Sequence, residues 1–457
     1  MNSMRCHTCA VVALATLVLV FAVGCERAPK HLVLVTLDTA RADRLSAYGH
    51  RVPTSPALAA LAQRGVRFDD AIAQAIVTPP SHASILTGKN PPRHGLRALS
   101  SEALAPSEST LAEMLRGAGF HTAAFVGGIP LLANRGLDQG FDVYDQTFPG
   151  GMVERRARRT NRAVREWLAE PPAGRVFLWV HYFDPHHPYN PPRTYKQKFA
   201  GGPVVKGDLP HPRNVNPRTT REIGVSAPEP AAAELMRKLY DAELRYTDDA
   251  MKELFAMLDD AGLLDDAVVA VVADHGESLG EHGYYFGHWD VFWENARVPM
   301  VIAHPDGRYA GTKVSDLVRT VDLMPTMLEW LGVSRPKDLD GIDLTGLIEG
   351  GPSPIEDAYT EQEHYLPVHA LRTRDWLLVR DRASRLEGVE PESRLYRRLN
   401  GRALPEDVAV EHPDVFARLG ARLDALYDSD DKSEAVAIPV PENMRQRLRA
   451  LGYLPEE

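Results

Sequence analysis

Short apolar runs rich in β-branched residues recur along the chain, separated by stretches of mixed polarity. An unbroken apolar run of five to seven residues is typical of a strand buried on both faces of a parallel sheet. The pattern therefore predicts strands at residues 31–36, 122–126, 176–182, 267–273 and 298–303.

Between these runs, apolar residues repeat with the period of an α-helix. Such patterns cover residues 57–64, 110–116, 153–168, 231–258 and 321–331, and the second begins with a Ser/Thr cap. Alternating strands and helices predict an α/β sandwich with a largely parallel central sheet.

The last hundred residues follow a different pattern. A strand pair around residues 370–380, a helix at 412–426 and a terminal helix ending at Gly452 predict a smaller C-terminal subdomain. We therefore divide the chain into a main domain at residues 31–350 and a subdomain at 351–457. Residues 191–230 are rich in Pro, Gly and charge and too long for an ordinary connection, so they form either a lid or binding loop or a surface excursion without a role.

The N-terminus carries an apolar run at residues 10–23, preceded by Arg5. This run is too short to span a bilayer comfortably and has the form of a signal-peptide core. It ends in Ala22-Val23-Gly24-Cys25, which resembles a bacterial lipobox. We expect a signal peptide at residues 1–24 and a lipid on Cys25, giving a lipoprotein of the bacterial cell envelope that faces the periplasm or exterior. A plain secretory signal or an uncleaved anchor are the alternatives.

Composition and charge narrow the function classes. The 457 residues are 44% hydrophobic and 25% charged, which is ordinary for a globular protein and excludes a disordered, collagen-like or multi-span membrane chain. The formal net charge of -10 argues against a nucleic-acid binder. All three cysteines lie within the first 25 residues, so no disulfide is expected in the body of the protein. The sequence does not indicate an oligomeric state.

Polar residues follow two of the predicted strands directly. Asp38 comes just after the first strand and Asp274-His275 after the fourth, while Thr78 begins a predicted helix. Functional residues of open α/β sheets lie at the carboxyl ends of strands, and two carboxylates, an imidazole and an alcohol suit one divalent cation. Thr78 would bind the same cation, lose its proton and attack a phosphorus or sulfur centre. Each of these residues alone is more often a cap or a packed side chain. The cation site is therefore predicted from their joint occurrence.

Several motifs together resemble the sulfatase family of the alkaline phosphatase superfamily, over most of the chain from about His31 onward. The matching segments are Asp38-Thr39-Ala40-Arg41-Ala42-Asp43, Thr78-Pro79-Pro80-Ser81-His82 followed by Leu86-Thr87-Gly88, Asp184-Pro185-His186, Asp274-His275-Gly276-Glu277, and the closing Leu451-Gly452-Tyr453-Leu454. The resemblance implies an alkaline-phosphatase/sulfatase-like α/β fold with a central sheet.

The resemblance also implies roles for individual residues. One divalent metal ion, Ca as in family sulfatases with Zn or Mn as alternatives, would be held by Asp38, Thr78, Asp274 and His275. The catalytic side chains at the ester and the leaving group would be Thr78, His82, His186 and His288, with His181, Asp184 and Lys89 as weaker substrate-binding candidates.

This chain departs from the family at three positions. Family sulfatases convert a Cys or Ser at the nucleophile position to formylglycine, but here the residue is Thr78, whose β-methyl group prevents formation of an aldehyde. The arginine of the motif is His82, which lacks the forked guanidinium, and the second aspartate after the first strand is Thr39. We therefore expect no formylglycine.

The leading interpretation is a metal-dependent hydrolase of sulfuric or phosphoric esters, with Thr78 as nucleophile and a small-molecule or glycan ester as substrate. One alternative is a phosphodiesterase, phosphonate hydrolase or lipid-headgroup phospho-transferase of the same superfamily. Another is a catalytically inactive lipoprotein that binds anions. Membrane contact would be through the lipid anchor.

Overall fold

The computed structural model describes residues 28–99, 101–148, 152–201, 227–364, 367–381, 392–429, 432–442 and 445–446. The predicted signal peptide, Cys25, the terminal helix and the closing Leu451 to Leu454 motif lie outside the described residues. These predictions therefore stay predictions. Among the described residues, no helix has both the length and the apolar character needed to cross a bilayer.

The strands carry most of the buried core. In chain order they are β1 (His31–Leu37), β2 (Val66–Ile72), β3 (Glu102–Ala103), β4 (Phe120–Phe125), β5 (Val143–Asp145), β6 (Arg175–Tyr182), β7 (Ala267–Ala273), β8 (Ser278–Leu279), β9 (Tyr285–Gly287), β10 (Arg297–Ala303), β11 (Thr312–Arg319), β12 (Ala358–Gln362), β13 (Val368–Arg372), β14 (Trp376–Asp381), β15 (Ser393–Leu399), β16 (Arg402–Asp407) and β17 (Val436–Ala437).

The helices lie between them. They are α1 (Pro56–Arg64), α2 (Thr78–Thr87), α3 (Pro91–His94), α4 (Leu111–Gly117), α5 (Ala157–Trp167), α6 (Arg193–Ala200), α7 (Pro230–Asp260), α8 (Trp293–Ala296), α9 (Leu323–Trp330), α10 (Thr345–Ile348) and α11 (Pro413–Tyr427). Short 3₁₀ turns occur at Ala42–Arg44, Ser46–Tyr48, Ile129–Leu131, Ala133–Arg135, Glu281–Gly283 and Thr320–Asp322. The predicted cap of α4 is present, because Thr110 and Glu113 form a reciprocal capping box.

The central sheet has eight strands in the order β11-β2-β10-β7-β1-β6-β4-β5. All five predicted strands are in it, and the α/β sandwich with a mostly parallel sheet is confirmed. The prediction did not anticipate that β10 runs antiparallel to both of its neighbours, β2 and β7. Nor did it identify β2, β5 or β11, because charged residues interrupt their apolar pattern, as in the VRFDDAI of β2.

The register of three central strands shows which edge of the sheet carries the predicted functional residues. Leu37 at the end of β1 pairs with Tyr182 at the end of β6 and with Ala273 at the end of β7. Parallel strands that end level deliver the residues after them to one edge of the sheet. Asp38 and Asp274 are therefore neighbours although they are more than 200 positions apart in the chain.

A second, antiparallel sheet forms the C-terminal subdomain. Its strand order is β12-β13-β14-β15-β16, and α11 packs on it through a separate apolar cluster. The predicted strand pair corresponds to β13 and β14, and the predicted helix to α11. The segment interpreted as an irregular loop at residues 191–230 contains a helix, α6, and residues 202–226 lie outside the described part.

Candidate active site

Two carboxylates and an imidazole meet at the carboxyl edge of the central sheet. One ligand atom each from Asp38, Asp274 and His275 lies within 4.8 Å of the others, and all three side chains are fully buried. Asp38 follows β1, while Asp274 and His275 follow β7. The structure thus brings together the three residues that the strand-end argument selected.

Backbone groups orient Asp274 and His275. Asp274 Oδ1 accepts hydrogen bonds from the backbone N–H groups of Thr39 (3.1 Å) and His275 (2.8 Å). His275 Nδ1–H donates to the carbonyl of Gly276 at 3.0 Å, which leaves the Nε2 lone pair directed toward the carboxylates. A second nitrogen fixed in this way is typical of a histidine that binds a metal ion.

Asp38 is oriented by His181 from the neighbouring strand β6. The backbone N–H of Gly127 donates to His181 Nδ1 at 3.2 Å, so the ring carries its proton on Nε2. This Nε2–H donates to Asp38 Oδ2 at 3.2 Å. The predicted substrate-side candidate His181 therefore acts on Asp38, and the geometry gives it a positioning role.

The electrostatics of the site fit a divalent cation. Asp38 Oδ1 and Asp274 Oδ2 are buried and have no hydrogen-bond partner among the described residues. Burial raises the pKa of Asp38 to about 7, and burial together with the charge of Asp38 raises the pKa of Asp274. Two carboxylate oxygens without hydrogen bonds and the Nε2 lone pair of His275 form a ligand set for Ca, Mn or Zn, because any of these cations would neutralise the buried charge.

Thr78 lies at the first position of α2 and faces this cluster. Its Oγ1 is 3.5 Å from Asp38 Oδ2 and 3.5 Å from His275 Nε2. Pro79 and Pro80 have no N–H, so the first turn of α2 offers fewer backbone donors to an anion than an ordinary helix does. The hydroxyl of Thr78, rather than the helix N-terminus, is the main group presented here.

His82 lies one turn behind Thr78 and is fully buried. Its Nδ1–H donates to the carbonyl of Thr78 at 2.8 Å, and its Nε2 accepts from the Thr36 hydroxyl at 3.0 Å. Burial lowers the pKa of His82 to about 3, so the ring is neutral. With both nitrogens hydrogen-bonded inside the protein, His82 supports the start of α2, and its Nδ1 also lies 3.7 Å from Asp274 Oδ2.

His186 and His288 lie next to the cluster beside His275. The ring of His288 lies 4.5 Å from that of His275 and 5.4 Å from that of His186, which in turn stacks on Phe183 at 4.6 Å. Burial lowers the pKa of His186 to about 3 and that of His288 well below its usual value. Both predicted residues are therefore next to the cation site, as neutral rings.

Two predicted substrate-binding residues lie elsewhere. Lys89 follows the far end of α2, about 16 Å along the helix from Thr78, and its amine pairs with Glu108 and Asp338, each at 3.1 Å. The substrate role predicted for Lys89 is therefore not supported by its position. Asp184 Oδ2 accepts from the Ala157 N–H at 2.6 Å, so Asp184 holds the start of α5.

Two further residues, for which no role was predicted, lie near these side chains. Glu277 is fully buried just after His275, and its place in the Asp274-His275-Gly276-Glu277 motif was the available signal. Gln362 on β12 donates from Nε2 to the carbonyl of His288 at 3.1 Å. Gln362 lies in the polar segment AYTEQ of β12, whose complete burial no sequence pattern indicates.

Comparison with known protein families decides the classification. The family model described as Sulfatase matches residues 30–333, about two thirds of the chain. The chain belongs to the sulfatase family. This sulfatase-family hydrolase is 25% identical over 441 residues to an ulvan-active sulfatase of Formosa agariphila, covering 88% of this chain and 83% of that protein.

Further relatives differ in the ester named in their descriptions. An arylsulfatase of Clostridium perfringens is 23% identical over 398 residues, covering 73% of this chain and 81% of that protein. A solved phosphonate monoester hydrolase of Agrobacterium radiobacter superposes with a TM-score of 0.70 at 19% identity, covering 87% of this chain and 95% of that one. The fold therefore occurs with both sulfur and phosphorus esters, and the sulfatase family generally uses a divalent metal.

Proposed function

We propose that this protein is a metal-dependent hydrolase of phosphoric or sulfuric esters with Thr78 as its nucleophile, and that phosphorus esters are its main substrates. The observation that carries the proposal is the position of Thr78 Oγ1, 3.5 Å from both Asp38 Oδ2 and His275 Nε2. The preference for phosphorus follows from the threonine itself, because the β-methyl group prevents the aldehyde chemistry of sulfatases.

The reaction divides into two halves. A cation bound by Asp38, Asp274 and His275 would lower the pKa of the Thr78 hydroxyl and stabilise charge on the ester oxygens. In the first half, Thr78 Oγ bonds to phosphorus while the bond from phosphorus to the alcohol oxygen breaks, and that oxygen takes up a proton. In the second half, water attacks phosphorus, the bond to Thr78 Oγ breaks, and Thr78 regains its proton.

The surrounding residues organise both halves. His181 keeps Asp38 in place through its Nε2–H, and His82 holds the first turn of α2 through the Thr78 carbonyl. His186 and His288, whose rings lie 5.4 Å apart with His288 4.5 Å from His275, would donate hydrogen bonds to the departing oxygen.

The test compares p-nitrophenyl sulfate, p-nitrophenyl phosphate, a phosphodiester and a phosphonate monoester, each with Ca, Mn or Zn. We expect turnover of the phosphorus esters, a loss of about 10³-fold or more in Thr78→Ala, and partial activity in Thr78→Ser. Thr87→Ala removes a threonine at the far end of the same helix, where its hydroxyl donates to the Ala83 carbonyl at 2.7 Å and accepts from the Lys89 N–H at 3.3 Å. This control keeps full activity.

Mass spectrometry of protein quenched during turnover should find phosphate on Thr78. Turnover confined to the sulfate ester would contradict the preference for phosphorus. Binding of metal and anion without any turnover would instead favour the anion-binding lipoprotein.

We also propose that the chain is lipid-anchored at Cys25 in the bacterial cell envelope, on the strength of the apolar run and the Ala22-Val23-Gly24-Cys25 motif. Incorporation of labelled palmitate in a bacterial host, lost in Cys25→Ser, tests this. Unlabelled wild-type protein would contradict it.

A further inference from the structure

Ala28 lies at the edge of the central sheet opposite to the active site. β1 is seven residues long and ends just before Asp38, which belongs to the candidate cation cluster. Its other end is level with the amino ends of β6 and β7, because His31 pairs with Val176 and with Ala267. We call this the amino edge, and the edge with Asp38 the catalytic edge. At about 3.3 Å per residue, β1 separates the two edges by about 20 Å.

Hydrogen bonds fix the residues that lead into β1. The N–H groups of Lys30 and His31 both donate to the Asp266 carbonyl at 3.0 Å. Arg175, the first residue of β6, donates from Nη2 to the Pro29 carbonyl at 3.3 Å. The chain is therefore held at the amino edge from Pro29 onward, and this segment cannot detach to lengthen a tether without breaking these bonds.

Very little chain separates the amino edge from the proposed lipid. Only Glu26 and Arg27 lie between Cys25 and Ala28. A lipid on Cys25 would hold that residue at the bilayer surface. Three Cα–Cα steps of about 3.8 Å then keep Ala28 within about 11 Å of Cys25.

The length of β1 exceeds the reach of this tether. If the catalytic edge faced the bilayer, the amino edge would be raised from the surface by at least the length of β1, about 20 Å. That is nearly twice the distance of about 11 Å that the residues between Cys25 and Ala28 can span. The anchored protein can tilt, but it cannot turn the active site toward the bilayer that holds its lipid.

We propose that the amino edge of the central sheet is the surface that faces the anchoring bilayer, and that the active site opens away from it. The inference rests on the proposed lipid anchor at Cys25 and narrows the substrates of the proposed hydrolase. These are esters dissolved in the surrounding water, and the headgroups of the anchoring bilayer are out of reach. A lipid-headgroup phospho-transferase acting on its own membrane is therefore disfavoured.

Dyes at two exposed positions measure this orientation. The chain has no cysteine after Cys25, so a single cysteine introduced later can be labelled selectively in the lipidated protein. Asp265→Cys places a donor dye on the exposed turn before β7, at the amino edge. His282→Cys places the dye beside Glu281, whose carboxylate pairs with Arg41 at 3.0 Å, three residues after Asp38. The proteins are bound to vesicles that contain a headgroup-labelled acceptor lipid.

Energy transfer to the acceptor lipid should be strong from Asp265→Cys and several-fold weaker from His282→Cys. An insert of about forty Gly and Ser residues between Arg27 and Ala28 has an end-to-end distance of about 35 Å, so it should remove most of this difference. Cys25→Ser is the control without lipid, and it should show no transfer from either label.

Two forms of one ester test the substrate class. Phosphatidic acid carries a phosphate monoester as its headgroup. Vesicle-bound protein should hydrolyse p-nitrophenyl phosphate and a short-chain, water-soluble phosphatidic acid. It should not hydrolyse long-chain phosphatidic acid in the bilayer that holds it.

Transfer from His282→Cys that equals or exceeds transfer from Asp265→Cys would overturn the inference. Hydrolysis of the long-chain lipid in the anchoring bilayer at the rate of the short-chain form would do the same. Protein that hydrolyses no ester would overturn the proposed hydrolase, while the two labels still decide the orientation. Absence of a lipid on Cys25 would overturn the proposed anchor and this inference together.

Discussion

Asp38 links the charge state of the site to metal binding. Burial raises its pKa to about 7 in the metal-free protein, so near neutral pH a cation competes with a proton for this carboxylate. Below pH 7 Asp38 is mostly protonated, and the apparent metal affinity should fall about tenfold for each unit by which the pH is lowered. Above pH 7 the carboxylate is already ionised, and affinity should level off.

Titration calorimetry at pH 5.5 to 8.5 checks this dependence. His181→Ala removes the hydrogen bond to Asp38 Oδ2, and we expect it to weaken binding at every pH by about 10–100-fold. A metal affinity that stays constant between pH 5.5 and 7 would contradict the protonation of Asp38.

The loss of activity on substituting His288 should depend strongly on which ester is offered as substrate. As a neutral ring beside His275 and His186, it can donate a hydrogen bond to a departing oxygen, and poor leaving groups depend on such help most. We expect His288→Asn to slow alkyl phosphate hydrolysis about 10²-fold or more and p-nitrophenyl phosphate hydrolysis less than about tenfold.

The control is His282→Asn, because His282 lies in the turn just before β9, half-exposed, stacked on Phe292 and 3.6 Å from Glu294. It should leave both rates nearly unchanged. Equal losses for the alkyl and aryl esters in His288→Asn would contradict a role at the leaving group.

At the scale of elements, the strands that carry the site were the most predictable part. β7 is apolar throughout, β1 is apolar except for His31 and Thr36, and both are buried at every position, so pattern alone located them and the residues that follow them. The direction of β10 was not predictable, because an apolar run has the same pattern in either orientation. The roles of His82 and Lys89 could not be predicted, because they depend on the direction of α2 relative to the sheet. A local sequence pattern carries no information on that direction.

Gly276 shows how closely the loop after β7 packs. A Cβ at this position would lie 2.0 Å from the carbonyl oxygen of Glu294, and the Gly276 N–H bonds to the Asn295 carbonyl at 2.7 Å. Gly276→Ala should therefore destabilise the fold by about 1–3 kcal/mol and weaken metal binding, because the Gly276 carbonyl orients His275.

Urea unfolding with and without metal measures both effects. Gly346→Ala is the matched control, since a Cβ there meets nothing within 4 Å inside α10. It should change stability by less than about 1 kcal/mol. Equal stability of the two variants would contradict the close packing of the loop.

At the scale of the whole molecule, the C-terminal sheet supports the segment that leads to Thr78. The N–H of Ile76 donates to the Glu361 carbonyl at 2.9 Å, and the Glu361 N–H donates to the Gln74 carbonyl at 3.0 Å. Glu361 is on β12. One strand of the C-terminal sheet therefore pairs, through backbone hydrogen bonds, with the segment that leads to Thr78. The sequence predicted a separate subdomain but not this contact, because a pairing across nearly 300 residues leaves no local signal.

An ion pair holds the two units together at this point. Arg97 Nε and Nη2 bond to the two oxygens of Glu361 at 2.9 and 2.6 Å, and the Glu361 side chain is only 1% exposed. Arg97→Met keeps the aliphatic stem but leaves the buried Glu361 carboxylate with the Tyr359 hydroxyl as its one side-chain donor among the described residues, and it also removes the Arg97 Nη2 bond to Glu363 Oε1 at 3.2 Å. We expect a loss of about 3 kcal/mol in unfolding free energy, and lower kcat because the segment before Thr78 loosens.

Arg158→Met is the matched control for this prediction. Arg158 also forms a forked pair, with Glu253, but the two side chains are 46% and 44% exposed, so its loss should cost less than about 1 kcal/mol. Adding Glu361→Gln to Arg97→Met removes the stranded charge and should recover part of the stability. If urea unfolding finds Arg97→Met no less stable than Arg158→Met, the ion pair does not hold the C-terminal sheet against the active-site segment. If Glu361→Gln recovers nothing, the loss arises from the packing of Arg97 on Tyr427, 4.7 Å from its ring centre, instead of from the buried charge.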